Sequence, residues 1–252
     1  MRLTSLADIR ARLETDRVWA AFSLADLDEP YAAHARWFGP ESGRGLLLVY
    51  SAFDPPIVYV QGSEADVRLL LSDEAVRGGT GRAWLNVRLM DRPAVDAAFA
   101  SFDARRMVRM VLGPSVLAPP PPAPTERLTI SELEEVEALY ADDRPAFFVP
   151  EQLTHGVYYG VRAAGRLVSV AGTHVLSETC GVGAIGNVYT HPGHRGQGLA
   201  GAATHAVVRE LDRRGIRTIV LNIIEGNEPA RRVYERLGFC EYCIYEEGLA
   251  VR

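Results

Sequence analysis

Two periodicities alternate along the chain. Leu6, Ile9 and Leu13 recur at helical spacing behind Ser5, which predicts a capped helix over residues 5–15. Residues 46–50 and 57–60 are strand-like apolar runs parted by Asp54-Pro55-Pro56, a turn signal. Ser63-Glu64-Ala65-Asp66 has the layout of a capping box and opens a helix through Leu71. A strand over 83–89, a short helix over 93–100 with Pro93 in its first turn and a strand over 106–112 complete this half.

The second half predicts the order β-α-β-β-β-α-β-α-β. A short strand (127–130) precedes a helix capped by Ser131 with Glu134 and carrying Leu133, Val136, Leu139 and Tyr140. Residues 141–154 read as loop, and 157–161, 167–176 and 180–189 as three successive strands. Leu199, Ala203, Ala206, Val207 and Leu211 form one apolar stripe of a helix over 198–214. A strand (217–224), a helix (227–237) closed by Gly238 and a last strand (239–245) follow. Between the halves, the run ending in Pro119-Pro120-Pro121-Pro122 fits neither helix nor sheet, because proline lacks the backbone donor and fixes φ. This predicts an N-terminal α/β domain (1–112), a stiff spacer (113–125) and a C-terminal domain (126–252).

Composition narrows the function. With 48% hydrophobic and 23% charged residues among 252, the chain can fill a core. A net charge of −5 without a basic stripe argues against a nucleic-acid partner. All 27 basic residues are Arg, which excludes a P-loop lysine and Schiff-base lysine chemistry. No apolar run reaches the ~18 residues of a membrane helix, so no membrane partner is expected. The first residues lack the layout of a signal peptide, and Cys180, Cys240 and Cys243 make no disulfide framework, so a cytoplasmic location is expected. Cys240 and Cys243 sit i, i+3 on a predicted strand and point to opposite faces, so no metal site is expected there.

The segment with the clearest chemistry runs from Asn187 to Gly201. A strand ends, Pro192 breaks it, and a glycine-rich turn opens a long helix. Main-chain N–H groups at a helix start, with the positive end of its dipole, suit a diphosphate. Gly196, Gly198 and Gly201 clear the approach, and Arg195 adds a charged fork. Gly196-Gln197-Gly198-Leu199-Ala200-Gly201 also fits the dinucleotide pattern G-x-G-x-x-G. However, the stretch from His191 to Arg195 separates it from the strand, and no acid occurs near 20 residues on.

Arg195-Gly196-Gln197-Gly198-Leu199-Ala200 resembles the R/Q-x-x-G-x-G/A signature of the GNAT superfamily of N-acetyltransferases. Downstream, the stretch from Asn227 to Phe239 resembles that family's second motif, N-x-x-A-x-x-x-Y-x-x-L-G-F. With the strand order, the resemblance spans about residues 126–247 and implies a GNAT fold, a mixed, mostly antiparallel sheet flanked by helices. The tandem layout is similar to two-domain members that include glycine N-acyltransferase-like proteins. It implies that the first half is a smaller, degenerate GNAT-like copy, expected to shape the acceptor side or to pair subunits as a homodimer. Arg77-Gly78-Gly79-Thr80-Gly81 precedes a strand and is no phosphate loop.

The resemblance further implies acetyl-CoA, or another acyl-CoA, as co-substrate and a small-molecule amine or peptide as acceptor. The backbone of Val188, Tyr189 and Thr190 would pair with the pantetheine arm, and the amides of Gly196, Gln197, Gly198, Leu199, Ala200 and Gly201 beside Arg195 would hold the pyrophosphate. Asn227 would bond near the thioester, and Tyr234 would protonate the leaving thiolate. Asn227 also sits where a helix cap belongs, and Tyr234 lies on the apolar stripe of its helix, so both have ordinary structural roles open to them. The family's usual carboxylate base has no counterpart on the strand over 180–189; Glu225, Glu178, His174 and His191 are the nearest candidates, and the base is left unassigned. Two rival readings are a non-catalytic acyl-CoA-binding protein and an NAD-dependent oxidoreductase.

Overall fold

The structure is a computed structural model in which residues 1–41, 43–73, 81–114, 123–141 and 143–252 are described. Residues 115–122 of the expected spacer, with its run of four prolines, and residues 77–80 lie outside the described residues. The chain forms two compact units, residues 1–109 with 243–252, and residues 110–242. The last ten residues therefore belong to the first unit. Among the described residues no helix is long and apolar enough to cross a membrane.

In the first unit β1 (Arg2–Leu3), α1 (Leu6–Leu13) and α2 (Ala21–Ala25) precede β2 (Ala35–Phe38), β3 (Leu46–Tyr50) and β4 (Ile57–Gln61). Then come α3 (Glu64–Ser72), β5 (Arg82–Arg88), α4 (Arg92–Ala98) and β6 (Ser101–Leu112), which crosses into the second unit. Ser5 caps α1, and Ser63 with Asp66 forms the expected capping box on α3. β4 and β5 are parallel, while β1–β2, β2–β3 and β3–β4 are antiparallel. Leu47, Val49, Val58, Val60 and Leu85 pack with Val67, Leu70 and Val95 from α3 and α4.

The second unit holds β7 (Glu126–Leu128), α5 (Leu133–Leu139), α6 (Glu151–His155), β8 (Tyr158–Ala163), β9 (Arg166–Ser177) and β10 (Val182–Thr190). These are followed by α7 (Leu199–Arg213), β11 (Thr218–Ile224), α8 (Glu228–Arg236) and β12 (Phe239–Val251). Its strands lie in the order β11-β10-β9-β8-β7, with β10 and β11 parallel and the rest antiparallel. This is the mixed, mostly antiparallel α/β architecture that the family resemblance implies. Although the sequence shows no repeat, each unit runs strand, helix, helix, three strands, helix, parallel strand, helix, strand.

Three local expectations are corrected. The cap before α5 is Thr129 with Glu132, not Ser131 with Glu134: the Thr129 hydroxyl accepts from Ser131 N at 3.2 Å and Glu132 accepts from Thr129 N at 2.7 Å. Residues 151–155 are helical rather than loop, because Pro150 (φ −55°) supplies a pre-set helix start. The last strand runs to Val251 because its second half pairs with β5 from Tyr245↔Arg88 to Val251↔Arg82. Glu246 and Glu247, which interrupt its apolar pattern, are neutralised by Arg92 at 3.0 Å and Arg105 at 2.9 Å.

Candidate functional site

β10 and β11 are hydrogen-bond neighbours only at their N-terminal ends. Parallel pairing runs from Val182↔Thr218 to Ile185↔Leu221, yet β10 continues to Thr190 and β11 to Ile224. At the parting point β10 carries a bulge: Gly186 pairs with Gly172 and Tyr189 with Val170, which sets Asn187 and Val188 against Ala171 alone on β9. Asn187 sits in the extra step with φ +53°. Asn tolerates this left-handed conformation better than most side chains, and a bulge bends its strand away from its neighbour. The edge of Val188, Tyr189 and Thr190 therefore lies beyond the last β10–β11 pair.

The bulge is held by a buried polar network that the sequence reading missed. The Tyr140 hydroxyl donates to the Asn187 carbonyl at 2.6 Å. Asn187 Nδ2 donates to Gln152 Oε1 at 2.9 Å and to the Tyr158 hydroxyl at 2.7 Å. Gln152 is fixed in turn, since its Nε2 donates to the carbonyls of Phe147 and His174 and its Oε1 accepts from Val149 N. Asn187 Oδ1 is buried without a partner. An Asn behind Gly186 in an otherwise apolar strand was the available signal, since both residue types are depleted in strands.

Beyond Thr190 the chain makes a short turn. His191 Nδ1 accepts from Gly193 N at 3.2 Å, and the amides of His194 and Arg195 bond back to His191 and Pro192 at 2.8 and 3.3 Å. Gly196 (φ +77°) and Gly198 (φ +76°) then take left-handed conformations, and a Cβ on either would meet nothing within 4 Å. Space is open above them. Gly198 is the N-cap of α7 and offers no side chain, so the cap has no hydrogen bond of its own. The amide of Ala202 bonds back to Gly198 O at 3.0 Å, and helix geometry leaves the preceding first-turn amides unpaired. Residues 195–198 are exposed, Leu199 and Ala200 half-buried and Gly201 buried. Arg195 is steadied by its Nε donating to Thr190 O at 3.1 Å and by its guanidinium lying 5.8 Å from the Tyr189 ring.

The equivalent position in the first unit is closed. The helix after β4 starts at Ser63, whose hydroxyl accepts from Asp66 N at 3.2 Å while Asp66 accepts from Ser63 N at 3.2 Å. A Cβ on Gly62 would lie 2.8 Å from the Asp66 side chain and 2.9 Å from Gly45 Cα. Pairing of β4 with β5 stops at Tyr59↔Asn86, and next to it Trp19 stacks 5.7 Å from Tyr59 and donates to Val60 O at 3.5 Å.

Asn227 caps α8, accepting from Ala230 N at 3.2 Å. α8 packs on α7, and Tyr234 on it is buried, with its ring edge-on to Phe239 at 6.1 Å. Burial pushes its phenol up to about 12, so it stays protonated near neutral pH. Of the base candidates, Glu178 pairs with Arg214 at 3.3 Å in the turn at the far end of β10, and His191 is spent on its own turn. His174 lies against Gly186 at the parting point, where burial lowers its imidazole to about 4. Among the described residues no cluster of His, Cys, Asp and Glu could hold a metal ion.

Residues 126–239 match the Acetyltransferase (GNAT) family. A mycothiol acetyltransferase of Thermobispora bispora is 28% identical over 86% of this chain and 87% of its own. Among solved structures, a GCN5-related N-acetyltransferase from Kribbella flavida aligns with TM-score 0.64 at 18% identity, covering 92% of this chain and 95% of its own. A tandem GNAT protein from the clavulanic acid biosynthesis pathway aligns with TM-score 0.57 at 14% identity, covering 100% and 97%.

Proposed function

Residues 126–239 belong to the acetyltransferase (GNAT) family, and on that premise we propose that the chain is an acyl-CoA-dependent N-acyltransferase, with acetyl-CoA as donor and a primary amine as acceptor. The observation that carries the reading is the open start of α7. Two left-handed glycines and an uncapped helix present free amides to solvent, directly after a strand edge left behind by β11. Amides at a helix start with Arg195 beside them fit a pyrophosphate. The edge of Val188, Tyr189 and Thr190 offers main-chain partners to the amides of a pantetheine arm, as an added strand would.

Acyl-CoA supplies the activated thioester. The neutral amine attacks its carbonyl carbon, the C–N bond forms as the C–S bond breaks, and no enzyme nucleophile is needed. The nitrogen sheds its extra proton to solvent, from which Tyr234 is later reprotonated. The main-chain N–H of Val188, in the same peptide as the Asn187 carbonyl that Tyr140 holds, is suited to the oxyanion that develops, because Tyr140 and the Asn187 side chain fixed by Gln152 and Tyr158 set its orientation beforehand. Tyr234, kept neutral by burial, gives the departing thiolate its proton. Asn227 anchors the start of the helix that carries Tyr234. We read the first unit as a degenerate copy of the second, because Ser63 and Trp19 occupy the places where its own helix start and strand edge would receive a ligand.

Free-thiol release from acetyl-CoA, followed across a panel of amines, tests the reading. Release that depends on both protein and amine supports it. Binding of acetyl-CoA with no amine-dependent release would favour a binding protein, and a thermal shift with NAD but not acetyl-CoA would overturn the donor assignment. A ligand at about 100 times its dissociation constant stabilises by about 2.7 kcal/mol, which such a shift resolves.

A further inference from the structure

The first unit contains a buried carboxylate that none of the above uses. Asp26 is the C-cap of α2 and only 7% exposed, and it lines a cavity of about 210 Å³. No described side chain donates to its carboxylate or pairs with it, and burial alone pushes it up to about 8. A helix C-terminus gives a carboxylate no amide donors and adds carbonyl dipoles of the same sign, so the place favours a cation. The cavity wall is apolar where Leu3, Ile9 and Trp37 line it, and Arg2 and Arg36, both exposed, line it as well. β1 covers only Trp37 and Phe38 of β2, so Ala35 and Arg36 present an uncovered strand edge to the same cavity. A volume below the ~300–1,000 Å³ of drug-sized pockets suits a small metabolite.

We propose that this cavity binds a small amino-acid-like zwitterion: its ammonium against the Asp26 carboxylate, its apolar body along Leu3, Ile9 and Trp37, and its carboxylate toward Arg2 and Arg36. A buried acid kept without a partner costs stability, and a cationic guest supplies the missing charge. Apolar walls reject glycine and favour a branched side chain such as that of leucine. The site is separate from acyl transfer and does not depend on that assignment.

Isothermal titration of the full chain with L-leucine, isoamylamine, 4-methylpentanoate and glycine tests this, with Asp26→Asn and Arg36→Gln alongside. Leucine binds, and each analogue lacking one head group or the side chain binds at least about tenfold more weakly. Asp26→Asn loses leucine binding, while Arg36→Gln weakens leucine but leaves isoamylamine unchanged. Titration in buffers of different ionisation enthalpy at about pH 7 shows close to one proton released per leucine, because the carboxyl ionises as the ammonium arrives. No heat with leucine, equal binding by Asp26→Asn, absence of proton release, or isoamylamine matching leucine would each overturn the assignment. Arg36 is exposed, so that variant folds normally and keeps the test decisive if Asp26→Asn does not.

Discussion

Asp26 also makes the stability of this protein depend on pH in a way that a single substitution exposes. Its carboxyl has an ordinary value of 3.8 and is raised to about 8 in the folded chain by burial. Between these values the native state keeps a proton that the unfolded chain releases, so stability falls as pH rises. Each unit of difference corresponds to 1.36 kcal/mol, so the loss accumulates at about 1.4 kcal/mol per pH unit and reaches roughly 5 kcal/mol near pH 8. Above that pH the native carboxyl ionises too and the loss levels off. The side chain is 7% exposed, so solvent screens little of this. Of its aromatic neighbours, Tyr50 is pushed above its ordinary value by burial and by the charges of Asp26 and Tyr31, which keeps it out of the window. Asp26→Asn has no proton to lose, and every other titrating group is shared. Urea unfolding of both proteins in steps between about pH 4 and 9 should give curves that diverge as pH rises, with the Asn variant gaining throughout. Parallel curves would refute the reasoning, since they would mean that the carboxyl is ionised in the folded chain at ordinary pH.

Four further outcomes follow from the second unit and its closed counterpart. Tyr234→Phe should lower kcat by roughly 10²-fold in the thiol-release assay while KM for acetyl-CoA stays near its original value. Gly198→Val, a β-branched residue at φ +76° in open space, should raise KM for acetyl-CoA strongly, and Gly198→Ala should do so less. Acetyl-CoA should titrate to one equivalent per chain by calorimetry, because Trp19 and the Ser63 cap fill the first unit's equivalent places; two equivalents would contradict that reading. Asn187→Gly keeps the left-handed bulge but removes two buried hydrogen bonds at about 1 kcal/mol each, so urea unfolding should show a loss of roughly 2 kcal/mol. Asn187→Val should lose more, since a β-branched residue also strains the backbone.

Local chemistry made much of this protein legible in its sequence. Capping residues, helical stripes and strand-like runs act over a few positions, so α1, α3, α7 and the strands β8 to β11 follow from neighbours alone. The glycines of the turn after β10 are legible for the same reason, as left-handed backbone leaves few alternatives to glycine. Pairing partners decided the rest. The second half of β12 is a strand because β5 and two arginines receive it, not because its Glu-Glu-Gly pattern asks for one. The bulge at Asn187 depends on Tyr140, Gln152 and Tyr158, which lie 29 to 47 residues away in the chain. The repetition of one element order in two units is invisible in the residues themselves, because an open helix start and a self-capped one need opposite side chains at the same topological position. Charge without a partner is likewise a tertiary property: Asp26 looks like any surface acid until burial encloses it beside a cavity.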